Sequence, residues 1–246
     1  IGGCGLGFVA GGHRVTLTLY SWLMWAIQPL LRSKLRRRGL KEPGYLEHIE
    51  ERFGIYTNQI KTQTQEPSAA NTCVWVHAVS LGETRAAEVL LHALRAEYPG
   101  IRIVLTHGTA TGRALGASLL KEGDVQVWQP WDTPAIVQRF LQHFQPQLAV
   151  VLETEIWPNW VAQCKHSNIP MVLVNARMSE KSMRSAQRLA WLSGPAYAGL
   201  NGVWAQTPDD AKRLELLGAP VMEVVGNVKF DAQPNSVLLA QALLWS

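Results

Sequence analysis

Cysteine is scarce in this 246-residue chain: there are three, Cys4, Cys73 and Cys164, with no metal-ligand spacing among them. That argues against a disulfide-built scaffold and against a zinc module, and a reducing compartment is the simplest setting. Charge is sparse too, at 17% of residues against 47% hydrophobic, so the chain is not a disordered one and can bury the core of one or two domains. Internal repeats, low-complexity tracts, the Gly-Lys-Thr of a Walker loop and the glycine fingerprint of dinucleotide binding are all missing. The net charge is +4, but Arg32, Lys34, Arg36, Arg37, Arg38 and Lys41 account for more than all of it. The rest of the chain is slightly negative, which excludes a generally basic nucleic-acid surface.

That basic cluster follows directly on Val15 to Leu31, an uncharged apolar stretch at the short end of what spans a bilayer. The pairing suggests membrane attachment with the body of the protein on the cytoplasmic side. If the stretch does not span, the same residues can lie in the interface, with Trp22 and Trp25 at headgroup depth and the cluster drawn to anionic lipid. A buried helix with a solvated basic end is the other reading. No small-residue cleavage site marks a secretory signal.

A polar segment, 57–71, separates this region from a body in which apolar runs alternate with helical patterns. Strands are expected at 73–79, 101–106, 125–128, 148–152, 170–175, 202–206 and 221–225. Helices are expected at 83–97, 112–121, 133–144, 158–166, 180–191 and 208–217. Leu148 to Leu152 and Met171 to Val174 are continuously apolar, as in strands covered on both faces. The fold class is therefore α/β, a doubly wound parallel sheet of Rossmann-like type, and the chemistry is expected in the loops after the strands.

Five such loops carry candidate residues. Ser80-Leu81-Gly82-Glu83 leaves the first strand; it is a capping box by sequence, and equally a carboxylate able to take a proton from a sugar hydroxyl. The loop Thr106-His107-Gly108-Thr109-Ala110-Thr111-Gly112 offers hydroxyls and backbone amides to an anion or a sugar, or simple helix caps in Thr109 and Thr111. Glu153 and Glu155 follow the fourth strand, and an extended backbone would point them to opposite sides. Asn175-Ala176-Arg177 follows the fifth strand, where Arg177 can pair with Glu153 or bind an anionic group; Lys229 and Asp231 lie near the end.

Together these segments resemble the 3-deoxy-D-manno-octulosonic acid (Kdo) transferases of lipopolysaccharide synthesis. The resemblance lies in His77 to Glu83, the loop 106–112, Pro130-Trp131-Asp132, Glu153-Thr154-Glu155-Ile156-Trp157-Pro158-Asn159, Asn175 to Ser179 and Gly226 to Asp231, with Glu51-Arg52-Phe53-Gly54 ahead of them. It implies the amino-terminal half of a GT-B glycosyltransferase, preceded by a membrane-anchor helix, at the cytoplasmic face of the inner membrane. It also implies an inverting transfer of Kdo from CMP-Kdo to a lipid A precursor, with no metal or other cofactor. By analogy Glu83 is the catalytic base, looking into an open pocket, and Ser80, Gly82, Thr106, Thr109, Thr111, Glu153, Asn175, Arg177 and Lys229 contact substrate. The expected organisation is an anchor and basic segment over 1–56, an acceptor-binding domain over 57–231, and a linker over 232–246 to a carboxyl-terminal donor domain. The half alone is expected to transfer no Kdo. The competing readings are a membrane-tethered glycolipid-binding module and another GT-B sugar-nucleotide enzyme.

Overall fold

In the computed structural model residues 7–57 and 72–228 are described, with backbone alone over 7–14. Two helices open the chain, α1 (Gly7–Ala26) and α2 (Gln28–Gly39). Two short 3-10 turns follow, Pro43–Tyr45 and Ile49–Phe53. The body then alternates β1 (Cys73–His77), α3 (Leu81–Glu97), β2 (Arg102–His107), α4 (Ala110–Ala117), β3 (Val125–Trp128), α5 (Pro134–Phe144) and β4 (Leu148–Leu152). It continues with α6 (Pro158–His166), β5 (Met171–Ala176), α7 (Glu180–Arg188), α8 (Ala190–Ala198), β6 (Gly202–Ala205), α9 (Pro208–Glu215) and β7 (Val221–Val224).

All seven strands pair in parallel in the order β3-β2-β1-β4-β5-β6-β7, so the expected doubly wound sheet is what forms. Alternate residues of the central strands feed two cores. Trp75, Val104, Val151 and Leu173 face α5 and α6, whereas Val74, Val76, Ile103, Leu105 and Val150 face α3. The helices start where the sequence supplies caps: the hydroxyls of Ser80, Thr109, Ser179 and Thr207 each accept a first-turn N–H, and proline opens α5, α6 and α9.

Two helical expectations change. The helix expected at 180–191 stops at Leu189, and α8 follows where Gly194-Pro195 reads as a turn. Burial of Leu192, Ala196 and Tyr197 outweighs that local signal. The apolar stretch Val15 to Leu31 is divided at Ile27, because Pro29 opens a new helix. Among the described residues no helix is long and apolar enough to cross a membrane.

α1 instead lies on the body. Its inner stripe carries Tyr20, Ser21 and Met24. The Tyr20 hydroxyl donates to Asp132 Oδ2 (2.8 Å), Ser21 Oγ donates to Asn159 Oδ1 (2.9 Å), and Trp131 Nε1 donates to the Met24 carbonyl (2.9 Å). Its outer stripe of Val15, Leu19, Trp22 and Leu23 is exposed, Trp22 by 64%. The basic cluster is partly used internally: Arg32 pairs with Glu50 and covers Phe53, and Arg38 covers Tyr45.

Candidate functional site

The order of the sheet reverses between β1 and β4, which are hydrogen-bonded neighbours, and ligands of such sheets bind at the carboxyl ends of the strands flanking that point. The segment leaving β1 there carries Ser80 and Glu83, and the segment leaving β4 carries Glu153 and Glu155. Three carboxylates thus stand at the switch point of the sheet.

Glu83 does not reach outward as the sequence suggests. Its Oε2 accepts the Val79 N–H at 2.7 Å, its Oε1 lies 3.4 Å from Ser80 Oγ, and the residue is only 8% exposed. The capping arrangement is real, with Ser80 Oγ accepting the Glu83 N–H in return at 3.5 Å. Two grooves, of about 580 and 390 Å³, lie elsewhere, one below α4 and one between α6 and α8, and Glu83 lines neither. The carboxyl is nevertheless unusual. Burial pushes its pKa up to about 7 against the Val79 hydrogen bond, and the charges of Glu153 and Glu155 push the same way.

Both later glutamates act on Glu83 because β4 ends at Leu152 and the backbone is no longer extended. Glu153 takes a left-handed conformation (φ 62°), which a side-chain-bearing residue adopts only when its surroundings hold it there. Its N–H donates to Val174 O and its carbonyl accepts from Arg177 N–H. Glu155 Oε2 accepts from Trp157 Nε1 (3.0 Å) and faces His77 Nε2 at 3.5 Å. Burial alone would push the Glu155 carboxyl up, but His77, Trp157 and the Arg52 charge outweigh it and hold it below the usual range. The edge therefore pairs one carboxyl poised near neutrality with a neighbour held ionised, a combination suited to proton transfer.

A family model described as 3-deoxy-D-manno-octulosonic-acid transferase (kdotransferase) matches residues 47–232. The chain belongs to this family. The Kdo transferase of Bordetella pertussis is 37% identical over 93% of this chain and 53% of its own length. That of Haemophilus influenzae is 31% identical over 89% of this chain and 50% of its own. A probable mitochondrial Kdo transferase of Arabidopsis thaliana is 32% identical over 86% and 46%. The chain thus spans about half the length of the curated relatives it matches. A solved UDP-N-acetylglucosamine 2-epimerase superposes with a TM-score of 0.47 at 14% identity, covering 68% of this chain and 54% of that one, a likeness that carries no argument here.

The Kdo transferase motifs divide between the rim and the interior. Thr109 caps α4 and donates its hydroxyl to Val79 O (3.0 Å), and Thr111 is exposed beside it. Gly82 is half-buried in the first turn of α3, and Arg177 is exposed, joined to Glu153 through the backbone. Thr106 is a correction: it is fully buried, its hydroxyl taken up by Trp75 and His77, because the last residues of β2 still face the core. Asn175 is likewise buried and left-handed (φ 52°), and its Oδ1 accepts the Val228 N–H, so it ties β5 to the following segment. Lys229, Asp231, most of the 57–71 loop and the 232–246 linker lie outside the described residues.

Sequence reasoning quoted Asp132, Asn159, His77 and Arg52 within motifs but gave them no role. Asp132 accepts the Tyr20 hydroxyl and the N–H groups of Asn159 and Trp160, so it caps α6 from another loop and receives α1. Arg52 stacks on Trp128 (3.9 Å) and donates to Gly108 O. An aspartate just ahead of Thr133-Pro134, and a histidine closing an apolar strand, were the available signals.

Proposed function

We propose that this chain is the acceptor-side domain of an inverting glycosyltransferase that moves Kdo from CMP-Kdo to a lipid A precursor at a membrane surface, and that Glu83 is its proton acceptor. The observation that carries the reading is the convergence of Glu83, Glu153 and Glu155 at the switch point of a Kdo transferase family member. The Val79 N–H holds Glu83 Oε2, and Oε1, which accepts only a long 3.4 Å bond from the Ser80 hydroxyl, takes the proton of the attacking glucosamine hydroxyl. That oxygen bonds the anomeric carbon of Kdo while the bond to CMP breaks on the opposite face, and the bonding pair leaves with the CMP phosphate. Residues beyond this half of the protein supply the donor contacts in this account.

The exposed stripe of α1 and the exposed cations Lys34, Arg36 and Arg37 of α2 support a location on the lipid surface, lying in the interface rather than crossing it. The same Glu83 contacts also support a second reading, a glycolipid-binding domain in which Glu83 only caps α3. Transfer by the full-length protein carrying Glu83→Gln separates the two. A base requires transfer to fall with acceptor binding kept; a cap leaves turnover near wild type and lowers stability alone.

A further inference from the structure

His77 closes β1, is fully buried, and touches two groups of opposite character. Its Nδ1 lies 2.8 Å from Thr106 Oγ1. Its Nε2 lies 3.5 Å from Glu155 Oε2, within ion-pair reach, and makes no hydrogen bond among the described residues. The Thr106 hydroxyl has one proton to give, and the indole of Trp75, which can only donate, already occupies one of its lone pairs at 2.8 Å. Two acceptors remain for that proton, His77 Nδ1 at 2.8 Å and the Val76 carbonyl at 3.5 Å. The shorter contact takes it, so Nδ1 is the acceptor of the ring. The ring proton then sits on Nε2, directed at a carboxylate; the other tautomer would set a lone pair against that carboxylate.

We infer that His77 is a positioning residue of this edge: the Trp75-to-Thr106-to-His77 relay fixes its tautomer so that Nε2–H faces the Glu155 carboxylate. The ring cannot turn away, because Trp160 meets it edge-on at 4.8 Å between centroids and β1 lies between β2 and β4. Trp157 Nε1 donates to the same Glu155 oxygen, so two donors from separate elements set one carboxylate. The charged and titratable groups around this pair are Arg52, His107, Glu83 and Glu153. His107 donates Nδ1–H to Ala78 O, and burial holds its pKa down to about 3, so it stays neutral and does not compete for Glu155.

The consequence for turnover rests on the proposed role of Glu83. Without the Nε2 donor, Glu155 gains a proton more readily and its share in raising the pKa of Glu83, smaller than that of burial or of Glu153, falls away, so the acid limb of kcat/KM moves to lower pH. Two measurements keep the relay and the base role apart. Nitrogen-15 spectra of the histidine rings in this chain at neutral pH, assigned by the signal lost in His77→Gln, read the tautomer without any turnover. His77 is expected with Nδ1 bare and Nε2 protonated; Thr106→Val abolishes that fixed pattern and Thr106→Ser restores it. A ring protonated on Nδ1, an imidazolium, or a pattern indifferent to Thr106→Val overturns the relay. In the full-length enzyme, His77→Phe is expected to move the acid limb of kcat/KM down while Glu83→Gln abolishes transfer. An acid limb unmoved by His77→Phe overturns the role of His77 at the site. Turnover retained by Glu83→Gln refutes the base reading instead, and the ring spectra still decide the relay.

Discussion

Glu83 and Asp132 are both buried carboxyls with pKa values pushed up to about 7, yet they serve different ends. Both oxygens of Glu83 are tied to its own turn, Oε2 by the Val79 N–H and Oε1 by a longer bond from the Ser80 hydroxyl. For this residue the account expects Glu83→Gln to lower transfer by about 100-fold or more, the usual scale of general-base loss, while thermal unfolding moves little because the amide oxygen still accepts from Val79. Asp132 is enclosed by Tyr20, Asn159 and Trp160. Burial raises it from 3.8 despite those donors, so between about pH 4 and about pH 7 the folded protein keeps a proton that the unfolded chain has released. The stability this contributes is complete below the lower value and gone above the upper one. Urea unfolding across that window should therefore show wild type losing stability relative to Asp132→Asn as pH rises; a relative gain would contradict the assignment. The types of these residues were legible in the sequence, but their contacts were not. Glu153 and Glu155 looked divergent only under the assumption of extended backbone, and the left-handed turn at Glu153 brings both to bear on Glu83. Thr106 stood both at the end of the expected strand 101–106 and at the start of the hydroxyl loop, and β2 runs on to His107, so Thr106 belongs to the strand and its core contacts.

At the scale of elements, close approach decides. Gly116 sits inside α4, where alanine would ordinarily stabilise a helix by about 1 kcal/mol. Here a Cβ would come 2.3 Å from His107 Nε2, on a ring fixed by Ala78 O. Gly116→Ala is therefore expected to destabilise by about 1–3 kcal/mol in denaturant titration, reversing the usual sign. α1 is held by the Tyr20 bond to Asp132, and Tyr20→Phe leaves that buried carboxyl short of a donor. The expected cost is about 1–2 kcal/mol, with faster amide exchange concentrated in α1; exchange spread evenly over the body would show that the helix is held by other means. The central strands were readable because apolar runs such as Leu148–Leu152 are bounded by turns carrying a helix cap or a proline. α8 was not, since its glycine and proline signal a turn and only packing against α6 and α1 makes it helical. Nor was the docking of α1 readable, because an apolar, uncharged stretch looks the same to a bilayer as to a protein surface with three polar partners.

For the whole molecule, the sheet sets an acidic edge at its switch point while α1 presents an apolar stripe to solvent. Replacing Leu19, Trp22 and Leu23 by serine is expected to weaken sedimentation with anionic vesicles while leaving the circular dichroism of the body unchanged. Unaltered vesicle binding would contradict the proposed lipid contact of α1. Neither the order of the strands nor the family could put a pKa on any residue, and that property joins fold to chemistry. The most direct measurement is the pH dependence of kcat/KM for Kdo transfer by the full-length protein. The account predicts an acid limb near pH 7 that belongs to Glu83 and is lost with it in Glu83→Gln. An undiminished Glu83→Gln enzyme with the same limb would contradict it.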